Sequence, residues 1–357
     1  MKKIVGILSA AAVLAASVFA ADVSAKVKLD GSLFNLNADK SINALKIEHA
    51  NSESWNPVIA MSVNGDVAGA ETSLYIGKLI TPTWENNGEG FFNWNKGYTL
   101  GIKTFKIWFS PLDGLKVNLG NVGTNLNQET ITYSKTDSGV DSEGFGISYN
   151  KDAIGIDLIL APGWGKNWFS KADGQDASVA ETYFKFQYNG GDIGTINAMF
   201  DAKDTFKTLK FGAGYKNTFS GITVFENVLG YVGNEKFTKV RSETFVSGNV
   251  DALSWAVWLP VDINLGDEVT VGVGTIAKAT YNAGPCSIYL YLEAADWLAK
   301  NLAKDKDEDG DGKYDNAITV KPGVTGNVGT MSYEVAVEMK INDPFSLSVP
   351  VSFTVNF

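Results

Sequence analysis

The sequence predicts an all-β protein, a transmembrane antiparallel β-barrel of about 16 to 18 strands with short turns at one end and longer loops at the other. Three observations predict it. Apolar and polar residues alternate in successive short runs, and an export signal precedes these runs. When the runs are taken as antiparallel strands, the long connections between them all fall at the same end of the strands.

The alternation is clearest in the last thirteen residues. Large apolar residues occupy every second position from Phe345 to Phe357, and small or polar residues stand between them. Because successive side chains of a strand point to opposite faces, this pattern indicates a strand between two different environments. A soluble β-sandwich gives the same pattern, so other features must decide between the two. The period recurs in further runs, among them 115–120, 145–150, 154–160, 183–189, 209–216 and 331–340.

The first residues are typical of a secretory signal peptide. Lys2 and Lys3 precede an apolar run, and Val18 and Ala20 stand where a small-residue cleavage signal requires them. We therefore predict a signal peptide over 1–20, cleaved after Ala20 or alternatively after Ala25, and a barrel over 21–357. The mature part has no apolar stretch near the ~20 residues of a membrane helix. A closed barrel is the other structure that satisfies every backbone group in lipid.

The connections between the runs favour the barrel over the sandwich. Short turns occur at 150–152, 189–192, 250–251 and 327–330, and long connections occur at 79–97, 122–142, 162–179 and 295–316. Counted back from the last strand, all four long connections fall at the end predicted to be extracellular, as in outer-membrane barrels. About nineteen strand-like segments are visible, whereas bacterial barrels have an even number. The surplus segment is expected among 26–36, 42–49 and 57–63.

Charge and residue usage exclude several classes of function. The net charge is −10, and loss of Lys2 and Lys3 leaves 28 basic against 40 acidic residues, or −12. So acidic a chain is a poor nucleic-acid binder. The single cysteine, Cys286, precludes an internal disulfide. The single histidine, His49, has no neighbouring serine or aspartate pattern of the kind that hydrolytic barrels need, so we predict no enzyme.

Taken together, the signal peptide, the periodicity over 26–357 and the terminal strand resemble the outer-membrane porins of double-membraned bacteria. Phe353, Val355 and Phe357 are similar to the C-terminal signal that the barrel assembly machinery reads. The resemblance implies an outer-membrane location, contact with lipid and passive diffusion of small hydrophilic solutes through a water-filled lumen. A homotrimer is implied by analogy with known porins only.

Two features depart from the porin pattern. Pro350 cannot donate a ladder hydrogen bond, so it predicts a bulge or an imperfect pairing with the first strand. Arg241 is the only arginine, whereas general porins place a cluster of arginines opposite acids on an inward-folded loop. Any basic screen must therefore use lysines, and the acidic balance predicts a mild cation preference. The residues predicted to line the pore are Lys116, Asp157, Lys185, Lys210, Glu334, Glu338 and Lys340.

An acidic stretch within 295–316, predicted to be an extracellular loop, resembles calcium-binding loops. Alternate carboxylates on a glycine turn can converge on one Ca²⁺ ion. Asn316 stands where an EF-hand has its bidentate glutamate, so a solvated acidic loop is the alternative. No cofactor is required, but a structural Ca²⁺ over 305–316 is predicted. Its candidate ligands are Asp305, Asp307, Asp309, Asp311 and Asp315.

Two other functions stay open at this point. One is a surface adhesin or antigen whose lumen is closed and whose outer loops bind partners. The other is an exported soluble β-sheet protein, which would need no detergent to stay in solution.

Overall fold

The computed structural model describes most of the chain from Ala21 onward. The described residues are 21–36, 42–46, 58–77, 99–131, 138–161, 181–203, 207–233, 235–266, 268–294, 318–341 and 345–356. No helix among them is long and apolar enough to cross a membrane.

The described part is a single sheet of 21 strand segments. In chain order they are β1 (Ala21–Leu36), β2 (Ile42–Lys46), β3 (Val58–Asn64), β4 (Ala68–Gly77), β5 (Thr99–Leu112), β6 (Leu115–Thr124), β7 (Val140–Lys151), β8 (Ile154–Ala161), β9 (Glu181–Asn189), β10 (Thr195–Lys203), β11 (Thr208–Phe219), β12 (Ile222–Gly233), β13 (Lys236–Val250), β14 (Leu253–Leu265), β15 (Val269–Val273), β16 (Thr275–Asn282), β17 (Cys286–Ala294), β18 (Ile318–Val328), β19 (Met331–Ala336), β20 (Glu338–Ile341) and β21 (Ser346–Asn356).

The sheet closes on itself. β1 pairs antiparallel with β21, from Lys26 opposite Asn356 to Leu36 opposite Leu347. Three barrel strands are each split into two segments, since β2 and β3 both pair with β1, β15 and β16 both pair with β14, and β19 and β20 both pair with β18. The 21 segments therefore form 18 antiparallel barrel strands. This confirms the predicted barrel, and the surplus segment lies where it was expected, because β2 and β3 are halves of one strand.

Prolines explain the other two splits. Pro260 on β14 lies opposite Gly274, which separates β15 from β16 and donates its N–H to the Pro260 carbonyl at 2.9 Å. The split between β19 and β20 falls at Val337, whose N–H donates to the Pro322 carbonyl at 2.9 Å. Proline has no N–H to return, so the ladder is interrupted at each point. Opposite Pro350, the register of β1 shifts between Ser32 and Asn35, as the sequence predicted.

The two ends of the barrel differ in their connections. The first and last described residues, Ala21 and Asn356, lie at the same end of the barrel as the short turns, and we call it the turn end. The opposite end of the barrel is called the loop end. The four predicted turns are confirmed, and Asp152, Gly191, Asp251 and Gly329 adopt the positive φ that such turns require. The four predicted long connections join strands at the loop end, which confirms how the sequence sorts them.

The two faces of the sheet have opposite chemistry. Side chains on the outer face are large and apolar yet exposed, as in Phe184, Phe186 and Tyr188 on β9 or Ile288, Leu290 and Leu292 on β17. Residues that alternate with them point into the barrel and are mostly polar or charged. A surface of this kind is inside out relative to a water-soluble protein, whose exposed apolar patches are small.

Candidate functional site: the barrel interior

Residues 125–131, which we call the inward segment, leave the loop end of β6 and enter the barrel. Leu126 joins a buried apolar cluster whose other members come from β6 to β12, and Ile131 packs on a second cluster on β12 to β16. The first cluster is Val122, Leu126, Val140, Ile159, Ala161, Tyr183, Met199 and Leu229, and the second is Phe225, Phe245, Trp258 and Ile276. The inward segment therefore covers part of the inner wall and turns it into a packed core.

Beneath this cover, inward-facing charges are paired. Lys185 lies 3.4 Å from Asp157, and the Thr124 hydroxyl bridges them by donating to Asp157 at 2.9 Å and accepting from Lys185 at 3.2 Å. Asp201 has Lys210 at 3.6 Å. A charge buried without a partner destabilises a fold by several kcal/mol. Charged side chains can therefore lie under the inward segment only because each has a partner of opposite charge.

The wall formed by β18–β21 also carries ion pairs, but their side chains are more exposed. Lys321 lies 3.1 Å from Glu334, which also accepts the Tyr289 hydroxyl, and Lys340 lies 3.6 Å from Glu338. A polar cavity of about 960 Å³ lies against this wall near the turn end. Its lining includes Lys321, Thr325, Glu334, Ser352 and Thr354.

Exposure differs between the two walls at most charged positions. On the covered wall, β8–β14, the charged side chains of Asp157, Lys185, Lys210, Arg241 and Glu243 are 16% exposed or less, whereas Lys239, Asp262 and Lys203 on the same strands keep 26%, 28% and 47%. On the exposed wall, β18–β21, the values are 26% for Lys321, 39% for Glu334, 26% for Glu338 and 49% for Lys340. Solvent therefore reaches the charges of Lys321, Glu334, Glu338 and Lys340 more readily than those buried beside the inward segment.

The structure brings together some of the residues predicted to line the pore. Asp157 and Lys185 touch each other on the covered wall, and Lys210 is buried beside Asp201. The Lys116 ammonium lies 4.3 Å from the centre of the Trp108 ring on the neighbouring strand, in a cation–π contact. The other three, on β19 and β20, belong to the exposed wall. Whether any of the seven contacts a permeating solute stays a prediction.

Three predicted features lie outside the described residues. They are the signal peptide 1–20, the acidic loop 295–316 with its calcium motif, and the terminal Phe357 of the assembly signal. Phe353 and Val355 lie on β21, paired with Leu29 and Val27 of β1. Their part in assembly stays a prediction.

Two parts of the site were missed from the sequence. The first is the inward segment, which appeared only as the start of the long connection 122–142. Its amides, Asn125, Asn127 and Gln128, were a signal, because so polar a stretch needs buried hydrogen-bond partners if it folds inward. The second is the cluster of Lys321, Tyr289 and Glu334, which needs the β17–β18–β19 register to be seen.

Comparison with known proteins gives the fold. No protein-family model matches the sequence, and no curated protein matches it either. Solved porins match over nearly the whole chain. A BenF-like porin of Pseudomonas fluorescens Pf-5 is 9% identical, with 94% of this chain and 98% of that chain covered and a TM-score of 0.56. For OccK9 (OpdG) of Pseudomonas aeruginosa the values are 10%, 94%, 98% and 0.56, and for OpdL of that organism 9%, 94%, 98% and 0.55.

Those porins share the architecture of this chain, and at sequence identities of 9–10% the similarity shows the fold alone. The closed antiparallel sheet, the apolar outer face and the polar interior agree with that architecture. The chain therefore has the fold of the outer-membrane β-barrel porins.

Proposed function

We propose that this protein is an outer-membrane porin, a channel for the passive diffusion of small hydrophilic solutes. One observation carries the proposal: a closed barrel of 18 strands has an apolar outer face and an inner wall whose charged side chains stay partly exposed on β18–β21. Barrels of 16 to 18 strands are wide enough to leave an aqueous channel. The porin fold of its structural neighbours supports the same function.

Location and orientation follow from the same proposal. The exposed apolar side chains of the outer face suit lipid, and the turn end would face the periplasm, as short turns do in this class. Export by the predicted signal peptide and insertion by the barrel assembly machinery belong to this proposal. Calcium binding by 305–316 stays a prediction, to be tested by calcium titration of the folded barrel.

We further propose a mild cation preference. The chain is acidic, but ion pairs neutralise many of the charges inside the barrel, so the acidic excess acts weakly. The preference should fade as salt rises, because the Debye length falls from about 10 Å at 0.1 M to about 3 Å at 1 M.

The test is single-channel recording of the mature chain, folded in detergent and added to a planar bilayer. Discrete conductance steps are expected, with a reversal potential in a salt gradient that has the sign of a cation-selective pore. A heat-denatured sample is the control. Folded and inserted protein that gives no steps would refute the channel and leave a closed surface barrel; a reversal potential of the opposite sign would refute only the cation preference.

A further inference from the structure

The inward segment sits in a notch of the wall that two glycines create. Neither Gly212 nor Gly214 on β11 has positive φ, so the backbone does not require glycine there. Space does. A Cβ atom at Gly214 would lie 2.6 Å from the Asn227 Oδ1 and 2.7 Å from the Asn127 Nδ2, and one at Gly212 would lie 2.5 Å from a Leu229 methyl carbon. The missing side chains are what allow the segment to approach.

Asn127 fastens the segment to this notch with both ends of its side chain. Its Nδ2 donates to the Asn227 Oδ1 at 2.9 Å, and its Oδ1 accepts from the Asn197 Nδ2 at 3.2 Å. Its backbone carbonyl accepts from the Asn227 Nδ2 at 2.9 Å. All three asparagines are buried. Buried amides left without partners would each cost roughly 1–3 kcal/mol, so this arrangement specifies one position for the segment.

Arg241, the only arginine in the sequence, supports this contact through Glu243. The Asn227 Nδ2 also donates to the Glu243 Oε2 at 3.1 Å, and the Arg241 Nε donates to the other Glu243 oxygen at 2.9 Å. The Arg241 Nη1 donates to the Asp262 Oδ2 on β14 at 3.0 Å. Glu243 is fully buried. A buried carboxylate needs a partner, and Arg241 supplies it while tying β13 to β14.

This use explains why the chain has an arginine here and lysines elsewhere. The planar guanidinium presents donors in a fixed fork, so one side chain can hold two carboxylates at once, whereas a lysine ammonium is a point charge on a flexible stem. Its guanidinium carbon lies 5.7 Å from the centre of the Trp258 ring, which further restricts it. Arg241 is 14% exposed, so its charge is committed to the wall.

We propose that Arg241, Glu243 and Asn227 are positioning residues that pin the inward segment against the covered wall and so set the open cross-section of the barrel. Arg241 acts through Glu243 and Asn227, without contact to a permeating solute. The pinning stands on its own; its effect on pore width rests on the proposed porin function.

The experiment measures the segment's position directly. Thr130, exposed on the inward segment, is changed to Cys, and spin labels are placed there and on the native Cys286, which is free and lies on β17 at the turn end. Pulsed electron paramagnetic resonance then gives the distance distribution between the two labels in the full-length folded barrel. This readout does not depend on conduction.

Two variants break the pin in different ways. Gly214→Ala places a methyl group in the Asn127–Asn227 hydrogen bond, and its matched control, Gly233→Ala on β12, meets only a Thr238 methyl at 3.7 Å. Asn227→Asp is isosteric but replaces the donor to Glu243 with a second carboxylate. Adding Glu243→Gln returns a donor to that contact and should partly rescue the position, which a general folding defect would not allow.

Both pin-breaking variants are expected to widen the distance distribution about twofold, since a segment without its buried contacts samples more positions. Their single-channel conductance should rise and become noisier, while Gly233→Ala matches the parent. The proposal would be overturned if the Gly214→Ala variant, shown to be folded by its heat-dependent shift in gel mobility, kept the narrow distance distribution of the parent. If the distribution widens but no protein conducts, the pinning is upheld and the porin function is what fails.

Discussion

The covered wall and the exposed wall of this barrel share one backbone pattern but differ in what their inward side chains meet. On β8–β14 the inward positions that lie against the inward segment are buried, as at Phe225, Leu229 and Asn227. On β18–β21 the inward charges stay partly in contact with solvent, as at Glu334 and Lys340. An inward position in a large barrel is therefore either core or channel, and the chain that lies over it decides which.

The largest difference between the walls should appear in stability. Phe245 is 2% exposed and stacks on Phe225 with ring centres 5.0 Å apart. Phe245→Ala should lower the free energy of unfolding by about 3–5 kcal/mol, because it leaves a cavity beneath the inward segment. The measurement is urea unfolding of the barrel in lipid vesicles, followed by tryptophan fluorescence.

The matched change on the exposed wall is Thr325→Ala. Thr325 lines the polar cavity and is partly exposed, so its truncation should change the free energy of unfolding by less than about 0.5 kcal/mol. Equal losses for the two variants would mean that the covered wall is not a packed core.

This contrast also marks how far the sequence could go. Alternation and turn residues predicted the barrel and the faces, because both depend on local spacing. They also placed the surplus segment among 26–36, 42–49 and 57–63 and predicted the irregularity at Pro350. They could not separate Lys210 from Glu334, since both stand at inward positions of alternating runs. That distinction depends on the inward segment, which reaches Asn227 from 100 residues away in the chain.

A second pair of variants should separate stability from selectivity. Lys321→Gln removes a partly exposed positive charge beside Glu334, so the proposed cation preference should increase with little change in stability. Lys210→Gln removes a buried partner of Asp201, which is 1% exposed, so stability should fall while selectivity changes less. Reversal potentials and urea midpoints, measured for both, provide the check.

The reverse outcome is informative. If Lys210→Gln shifted the reversal potential more than Lys321→Gln, ions would be passing along the covered wall, and the inward segment would not be shielding it.

The last comparison concerns the outer face behind the covered wall. Glu226 alternates with the inward-facing Phe225 and Asn227, so its carboxylate lies on the outer, apolar face of β12. There it accepts hydrogen bonds from the hydroxyls of Ser242 and Thr244 on β13. In the membrane that the proposed function requires, a carboxylate on this face is costly, though less so than a lysine or arginine at the bilayer midplane, and the two hydroxyls offset part of the cost.

Glu226→Gln keeps the volume and one acceptor oxygen but removes the charge. It should therefore raise the free energy of unfolding in vesicles by up to about 1 kcal/mol, with unchanged conductance, because nothing on the inner face moves. Asn227→Asp, one residue away and facing inward, should do the opposite: it loosens the inward segment and raises conductance. If Glu226→Gln instead lowered stability, the hydrogen bonds that the carboxylate accepts from Ser242 and Thr244 would outweigh the cost of its charge on the outer face.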